Sequence, residues 1–131
     1  MTAGRGRREA ARARRRAAQQ RGMDAEWLAA LWLRLKGYRI VARDLRTPVG
    51  QVDLVARRGR VLAIVEVKQR ADLRTAAESL GIRQQRRLSA AAEAVRALDP
   101  TYARLDLRFD LVLLVPGRRP RHVADAWRPG F

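Results

Sequence analysis

Cysteine is absent from the 131-residue chain, and histidine occurs only once, at His122. Without cysteine, the chain forms no disulfide bond, no thiolate zinc site and no cysteine nucleophile. A single histidine excludes a multi-histidine metal site and argues against a serine–histidine–aspartate triad. No apolar run approaches the ~18–20 residues that span a bilayer, and the arginine-rich N-terminus lacks the apolar core of a secretory signal. We therefore expect a cytoplasmic protein with no membrane partner.

Acidic residues are also scarce, with 13 Asp and Glu against 29 Lys and Arg, which gives a formal net charge of +16. Lysine is rarer still, because Lys36 and Lys68 are the only two. Arginine pairs bidentately with phosphate, and a large excess of positive charge is typical of nucleic-acid-binding proteins. Nucleic acid is therefore the expected partner, and the preference for DNA comes only from the family resemblance described below.

The positive charge is concentrated at the N-terminus. Residues 1–21 contain eight arginines and one glutamate but no Leu, Ile, Val or aromatic residue. Because such a segment has no apolar face to bury, we interpret residues 1–21 as a disordered basic arm that can become helical when bound. Its candidate contacts with nucleic acid are Arg14, Arg15 and Arg16. Residues 22–131 have the length of a single domain.

Hydrophobic periodicity predicts the element order α-β-β-β-α-β-β after the arm. Helical spacing predicts helices over residues 23–36 and 82–98. The first helix is expected to face the core with Trp27, Leu28, Leu31, Trp32 and Leu35. Apolar, β-branched runs predict strands over 38–45, 51–56, 61–68, 108–115 and 121–127. This pattern favours an α/β fold with a mixed five-stranded sheet flanked by helices.

Glu66 is an anomaly, since it lies in the most apolar predicted strand, where an unpaired carboxylate costs several kcal/mol. Asp53, in the preceding strand, is a second anomaly. If Ala56 pairs with Val61 across the hairpin, Asp53 lies diagonal to Glu66 on the same face, and Lys68 shares that face. A three-residue loop would instead place the two carboxylates on opposite faces.

Two carboxylates and one ammonium on one face support two interpretations. One is a structural ion pair at the end of the sheet. The other is an oxygen-ligand site for Mg²⁺ or Mn²⁺, since Mg²⁺ takes one or two carboxylates together with waters and substrate phosphate. In a chain that binds nucleic acid, the second interpretation indicates phosphodiester hydrolysis, in which Lys68 holds a water or stabilises charge at phosphorus.

The segment Gly50-Gln51-Val52-Asp53-Leu54-Val55, followed by Glu66-Val67-Lys68, resembles the PD-(D/E)xK nuclease motif. The fuller pattern is similar to the YraN-like family, an uncharacterised bacterial group in the restriction-endonuclease-like superfamily. It adds Gly22, Glu26, Gly37-Tyr38-Arg39-Ile40 and Arg108-Phe109-Asp110-Leu111. The resemblance implies that residues 22–131 form a nuclease-like domain with a restriction-endonuclease-like core, as in archaeal Holliday-junction resolvases.

The resemblance also implies roles for individual residues. Asp53 and Glu66 are expected to bind Mg²⁺ or Mn²⁺, and Lys68 to assist the attacking water. Further candidate ligands are Glu26, Gln51 and the backbone carbonyl of Val67. The family usually has Glu where this chain has Gln51, and often has Lys where it has Gln84.

Several other residues are given expected positions. Arg83, Arg86 and Arg87, at the start of the second helix, form either a solvated face or a phosphate-binding patch. Asp110 is expected to form a structural ion pair with Arg108, and His122 to lie on the surface.

Three functional hypotheses follow. The first is a metal-dependent, endonuclease-like protein that hydrolyses DNA phosphodiester bonds, with branched DNA suggested by analogy alone. The second is a non-catalytic nucleic-acid-binding module with the same fold. The third is a basic RNA- or ribosome-associated protein in which Asp53, Glu66 and Lys68 form a structural ion network. The oligomeric state stays open, a homodimer included.

Overall fold

The computed structural model of the protein describes residues 3–70 and 81–128; in the first helix it describes the side chains of residues 6–13 and from Ala25 onward. Its elements are helix α1 (Ala3–Leu35), strands β1 (Arg39–Thr47), β2 (Gly50–Arg58) and β3 (Val61–Gln69), helix α2 (Ile82–Arg96), a 3-10 helix (Pro100–Arg104), and strands β4 (Asp106–Leu114) and β5 (Arg121–Trp127). The predicted order of helices and strands is confirmed.

The five strands lie side by side in the order β1-β2-β3-β4-β5. Strands β3 and β4 are parallel, and the other neighbours are antiparallel. A parallel pair needs a crossover connection, and the segment containing α2 supplies it. The expected α/β fold with a mixed five-stranded sheet flanked by helices is therefore confirmed. No helix in residues 3–70 and 81–128 is both long and apolar enough to cross a membrane.

Helices α1 and α2 cover opposite faces of the sheet. Ala63 and Val65 of β3 pack in the cluster that contains α1, whereas Leu62 and Ile64 pack in the cluster that contains α2. Such burial on both faces is typical of a strand covered by helices on each side. Because side chains alternate along a strand, Glu66 lies on the same face as Leu62 and Ile64, which is the face of α2.

Helix α1 begins at Ala3, so the predicted start of the first helix at residue 23 is wrong. The physical reason is the composition of the segment before residue 23, since Ala, Arg and Gln are strong helix formers and form a helix without burying an apolar face. The disordered state of residues 1–21 stays a prediction, as does the division of the chain at residue 21 into an arm and a domain.

The face that α1 presents to the sheet also differs from the prediction. Its buried residues are Ala25, Ala29, Ala30 and Leu33. The residues expected to face the core, Trp27, Leu28, Leu31 and Leu35, are exposed, with Trp27 55% accessible. Helix α1 therefore has two apolar faces, and the alanine-rich one packs on the sheet because small side chains allow close approach.

The β2–β3 hairpin has the predicted parity but a shifted register. Arg58 pairs with Val61 across a two-residue turn, so the expected pairing of Ala56 with Val61 is wrong. Gly59 has φ +59°, which a two-residue hairpin turn requires at its first position. The ladder ends at the pair of Leu54 with Val65, and Asp53 and Glu66 come next on the two strands. Their carboxyl groups share a hydrogen bond, so they lie closer together than the expected diagonal placement.

Asp110 is fully buried in β4 and accepts hydrogen bonds from three directions. Arg108 donates through Nε at 2.8 Å and Nη2 at 2.7 Å, which confirms the expected ion pair. The backbone N–H of Asp125 donates at 3.0 Å. His122 Nε2 lies 2.7 Å from Asp110 Oδ2, and only 1% of the His122 side chain is exposed, so the expectation of a surface histidine is wrong.

The neighbours of His122 settle which of its nitrogens carries the proton. Lys36 Nζ lies 2.6 Å from His122 Nδ1. Because an ammonium only donates, Nδ1 must accept, and a neutral His122 therefore donates from Nε2 to Asp110. Burial opposes the ionisation of Asp110, but the hydrogen bonds from His122, Arg108 and Asp125 outweigh it and lower the pKa of Asp110 to about 2.

We expect Asp110→Asn to lower the free energy of unfolding by about 3 kcal/mol at pH 7, because it leaves Arg108 without its buried counter-ion. Urea denaturation measures the change. Asp125→Asn is the matched control, since the Asp125 side chain pairs only at the surface with Arg128, and asparagine tolerates the positive φ of 53° at that position. Equal losses of stability in the two variants would contradict the assignment of Asp110 as a structural anchor.

Candidate active site

A polar cavity of about 220 Å³ lies where the ends of β2 and β3 meet the first turns of α2. It is lined by Gln51, Asp53, Glu66, Gln84, Arg87 and Leu88. The β2–β3 hairpin and a helix that follows it later in the sequence thus supply the walls of the cavity. Both predicted metal-binding carboxylates lie in this cavity.

Asp53 is held between β3 and α1. The backbone N–H of Val67 donates to Asp53 Oδ2 at 2.9 Å. On the other side, the carboxyl group of Glu26 in α1 shares a hydrogen bond with Asp53. The structure therefore brings Glu26 to the site, as the resemblance implied. The N–H of Val67 positions Asp53, and the role of the Val67 carbonyl as a ligand stays a prediction.

Glu66 and Lys68 form the ion pair that their spacing along the strand predicts. Lys68 Nζ lies 3.2 Å from Glu66 Oε1, and both side chains are nearly buried. Gln84 of α2 bridges them, since its Nε2 donates to Glu66 Oε1 and its Oε1 accepts from Lys68 Nζ at 3.0 Å. The amide of Gln84 therefore fixes the carboxylate and the ammonium relative to each other.

The carboxyl groups of this site bind protons unusually tightly. Burial, followed by the charge of Asp53, raises the pKa of Glu66 from 4.5 to about 7. Burial and the charge of Asp53 likewise raise the pKa of Glu26 from 4.5 to about 7. Burial also raises the pKa of Asp53, although the Val67 N–H opposes it. The site thus concentrates negative charge that the nearby Lys68 does not balance.

A divalent cation suits the oxygen donors of this cavity. Within the described residues, no group of three or more His, Cys, Asp or Glu side chains is arranged to hold a metal ion. A site for Mg²⁺, however, uses one or two carboxylates and fills the other positions with water and phosphate. Asp53 and Glu66 supply such a pair, and burial is the main cause of the raised pKa of each, with the charge of Asp53 adding to it at Glu66.

The other predicted site residues are divided between the cavity and its surroundings. Gln51 lines the cavity, and its amide donates to Asp44 Oδ1 in β1. The three arginines at the start of α2 are all exposed; Arg87 lines the cavity, whereas Arg83 and Arg86 are not part of its lining. The side chains of Arg14, Arg15 and Arg16 lie outside the described residues, so their contact with nucleic acid stays a prediction.

The sequence did not assign Gln84 a role, although it contains a signal for one. Gln84, Arg87 and Leu88 recur at three- and four-residue spacing in α2 and therefore share one helical face. That face contains the apolar Leu88, which packs in the core cluster below α2. Because Leu88 fixes the orientation of the helix, Gln84 and Arg87 point towards the sheet at the cavity.

We expect the wild-type protein to lose stability as the pH rises from about 4.5 to 7, relative to a variant with Glu26→Gln. In this range the folded state keeps a proton on Glu26 that the unfolded state has released, so raising the pH favours unfolding. Urea midpoints at pH 5 and pH 8 measure the effect. At pH 8 the urea midpoint of Glu26→Gln should rise relative to that of the wild type. Glu93 is an exposed carboxylate of α2, and Glu93→Gln should not show this rise. A gain that is equal at both pH values would contradict this explanation.

Comparison with known proteins identifies the family. A protein-family model described as Uncharacterised protein family UPF0102 matches residues 25–114. A UPF0102 protein of Parvibaculum lavamentivorans is 62% identical over 113 residues, covering 86% of this chain and 85% of the relative. Another of Paramagnetospirillum magneticum is 55% identical over 116 residues, covering 86% and 90%. The chain therefore belongs to the uncharacterised family UPF0102, which confirms the resemblance to the YraN-like proteins.

Proposed function

We propose that the protein is a metal-dependent nuclease that hydrolyses phosphodiester bonds in DNA. The observation that carries this proposal is the pair Asp53 and Glu66, which lie in a polar cavity beside Lys68 with raised pKa values. Perturbed carboxylates in a cleft are typical of catalytic sites. The net charge of +16 favours a polyanionic substrate.

The interpretation of Asp53, Glu66 and Lys68 as a structural ion network is less favourable. A carboxylate that serves stability has a lowered pKa, as Asp110 does, because its neighbours stabilise the ionised form. Burial and mutual repulsion instead raise the pKa of Glu66 to about 7, so its ionisation near neutral pH opposes folding. Such an arrangement is better explained by binding of a positive charge than by stability.

The carboxylates of Asp53 and Glu66 would hold Mg²⁺ or Mn²⁺, with Gln51 and Glu26 close by. When bound, the cation supplies positive charge where negative charge develops at phosphorus. In the reaction, a water oxygen attacks phosphorus, the bond from phosphorus to one ester oxygen breaks, and that oxygen leaves with a proton. The Val67 N–H holds Asp53 in place for this task.

Lys68 would orient the attacking water or contact the phosphate. An ammonium has three N–H donors. Glu66 Oε1 and Gln84 Oε1 lie 3.2 and 3.0 Å from Lys68 Nζ and take two of them, which leaves the third for substrate or water. Gln84 is uncharged, so it positions Lys68 without competing for the phosphate. Its place beside Glu66 supports a role as a positioning residue.

Arg87 would bind the phosphate that enters the cavity. Its guanidinium group is the cation that α2 contributes to the lining, and arginine pairs with phosphate in a bidentate manner. A volume of about 220 Å³ suits a phosphate group with its waters and is small for a whole nucleotide. The reacting phosphate would therefore reach the carboxylates from the strand backbone, with its bases outside the cavity.

We expect Mg²⁺- or Mn²⁺-dependent cleavage of DNA that Glu66→Gln and Lys68→Ala each reduce at least about 100-fold. The assay compares linear duplex, single-stranded and branched DNA with an RNA of the same sequence. Lys36→Ala is the matched control, because it removes the other lysine of the chain, at His122 and away from the cavity. Cleavage that persists in both site variants would show that a contaminating enzyme is responsible.

The same experiment separates the remaining hypotheses. A non-catalytic binding module would show strongly salt-dependent affinity for nucleic acid and no turnover with any metal. An RNA-associated protein would favour the RNA and tolerate Glu66→Gln without loss of binding. Circular dichroism and urea midpoints of each variant confirm that the loss of cleavage is not a loss of folding.

We expect Arg87→Ala to reduce kcat/KM for cleavage by about 10-fold or more, because it removes the phosphate-binding cation from the cavity. Arg83→Ala is the matched control, since Arg83 lies one turn earlier in α2 and outside the cavity lining. Arg83→Ala should lower the non-specific affinity for DNA as much as Arg87→Ala does, but it should lower kcat much less. Equal effects of the two variants on kcat would contradict a specific role for Arg87.

A further inference from the structure

The exposed apolar face of α1 begins at Trp27. Trp27 is 55% accessible, Leu28 43% and Leu31 37%. Trp127, in contrast, is buried and stacks on Phe109 at a centroid distance of 4.1 Å. Large side chains therefore face solvent on α1 while alanines pack beneath it, and contiguous exposed apolar surface of this kind marks an interaction site.

This surface lies on the helix that also reaches the candidate active site. Trp27 follows Glu26, and the carboxyl group of Glu26 shares a hydrogen bond with Asp53. Consecutive helical residues project about 100° apart, so Trp27 lies on the face of α1 next to the one from which Glu26 reaches the site. On its other side, Leu28 lines an apolar cleft of about 410 Å³ whose wall includes Leu114, Pro116 and Arg118.

The net charge of the chain favours an anionic occupant. Arg118 lines the cleft beside Leu28. Asp44 and Asp53 as well as Arg43 act on the carboxyl group of Glu26, so the positive excess belongs to the chain as a whole. A second copy of the chain would bring another net charge of +16 against the first. A nucleic-acid strand instead carries negative phosphates and presents apolar base faces. Exposed aromatic side chains are the usual platforms on which such bases stack.

We propose that Trp27, with Leu28 and Leu31 beside it, stacks unpaired nucleobases of the strand whose backbone enters the cavity. The bases of a duplex are already stacked on one another and offer no free faces, so this surface selects single-stranded or locally unpaired nucleic acid. The placement of the bases beside the reacting phosphate rests on the proposed nuclease function, whereas the stacking itself is measurable without cleavage.

The experiment measures binding of the full chain to a 30-nucleotide oligo-dT and to a 30-base-pair duplex, with EDTA present so that no cleavage occurs. One salt concentration is used throughout, because phosphate contacts depend on salt. Trp27→Ala should weaken binding of the single strand about 5- to 150-fold, which corresponds to the stacking of one base. Binding of the duplex should stay within about 2-fold of the wild type, since phosphate contacts carry it.

Two variants serve as controls. Trp27→Phe keeps an aromatic platform and should retain most of the affinity for the single strand. If Trp27 stacks on a base, oligo-dT should quench the fluorescence of the wild type, and this quenching should be lost in Trp27→Phe. Leu35→Ala changes another exposed residue of the same face, 75% accessible and about 12 Å further along the helix, and should leave both affinities unchanged.

Three results would overturn the inference. Trp27→Ala could weaken single-strand and duplex binding equally, or weaken neither. The variant could also convert a dimer to a monomer in light scattering with its affinity for oligo-dT intact, which would assign the surface to a second copy. Cleavage assays with Glu66→Gln are independent of these measurements, so a failure of the stacking inference and a failure of the nuclease proposal are distinguishable.

Discussion

The two-residue turn at Gly59 and Arg60 fixes the pairing of β2 with β3, and this pairing brings Asp53 and Glu66 together. A shift of one residue in this ladder would turn every side chain of one strand to the other face. It would separate the two carboxylates and move either Val55 or Ile64 out of the core below α2. The core and the candidate site therefore depend on the same register, and the apolar residues that stabilise the hairpin also position the carboxylates.

Two groups of buried carboxyl groups in this protein have pKa values that are shifted in opposite directions. Around Asp110, an arginine, a histidine and a backbone N–H all stabilise the ionised carboxylate, and its pKa falls to about 2. Around Asp53, two glutamates lie within hydrogen-bonding reach, and the pKa of each glutamate rises to about 7. The first arrangement stabilises the fold at neutral pH. The second opposes folding there, and carboxyl groups with strongly shifted pKa values are typical of functional sites.

Helix α1 illustrates why an amphipathic pattern does not by itself identify the buried face. Its bulky stripe and its alanine stripe both repeat at helical spacing, and the bulky stripe has the larger apolar surface. Tertiary packing selects Ala25, Ala29 and Ala30 because the helix lies close against a sheet covered by branched side chains. Trp27 and Leu28 are left exposed on the other face of α1.

The sequence by itself determined the order of the elements, the mixed sheet, the family and the carboxylates of the candidate site, because these follow from local periodicity and from motif spacing. It also determined the ion pair of Arg108 with Asp110, since two residues apart on a strand share a face. The predicted start of the first helix at residue 23 was wrong because that prediction considered apolar burial and neglected the helix propensity of Ala, Arg and Gln.

Only the tertiary structure decided which face of α1 is buried, which residues Asp53 opposes, and where His122 lies. It also decided that Gln84 bridges Glu66 and Lys68 from a helix 16 and more residues away in the sequence. Each of these features depends on contacts between segments that are distant in the sequence. The relative positions of those segments are set by packing and by the length of the turns between them. Local patterns carry no information on those distances, so the chemistry of the site could be predicted while its geometry could not.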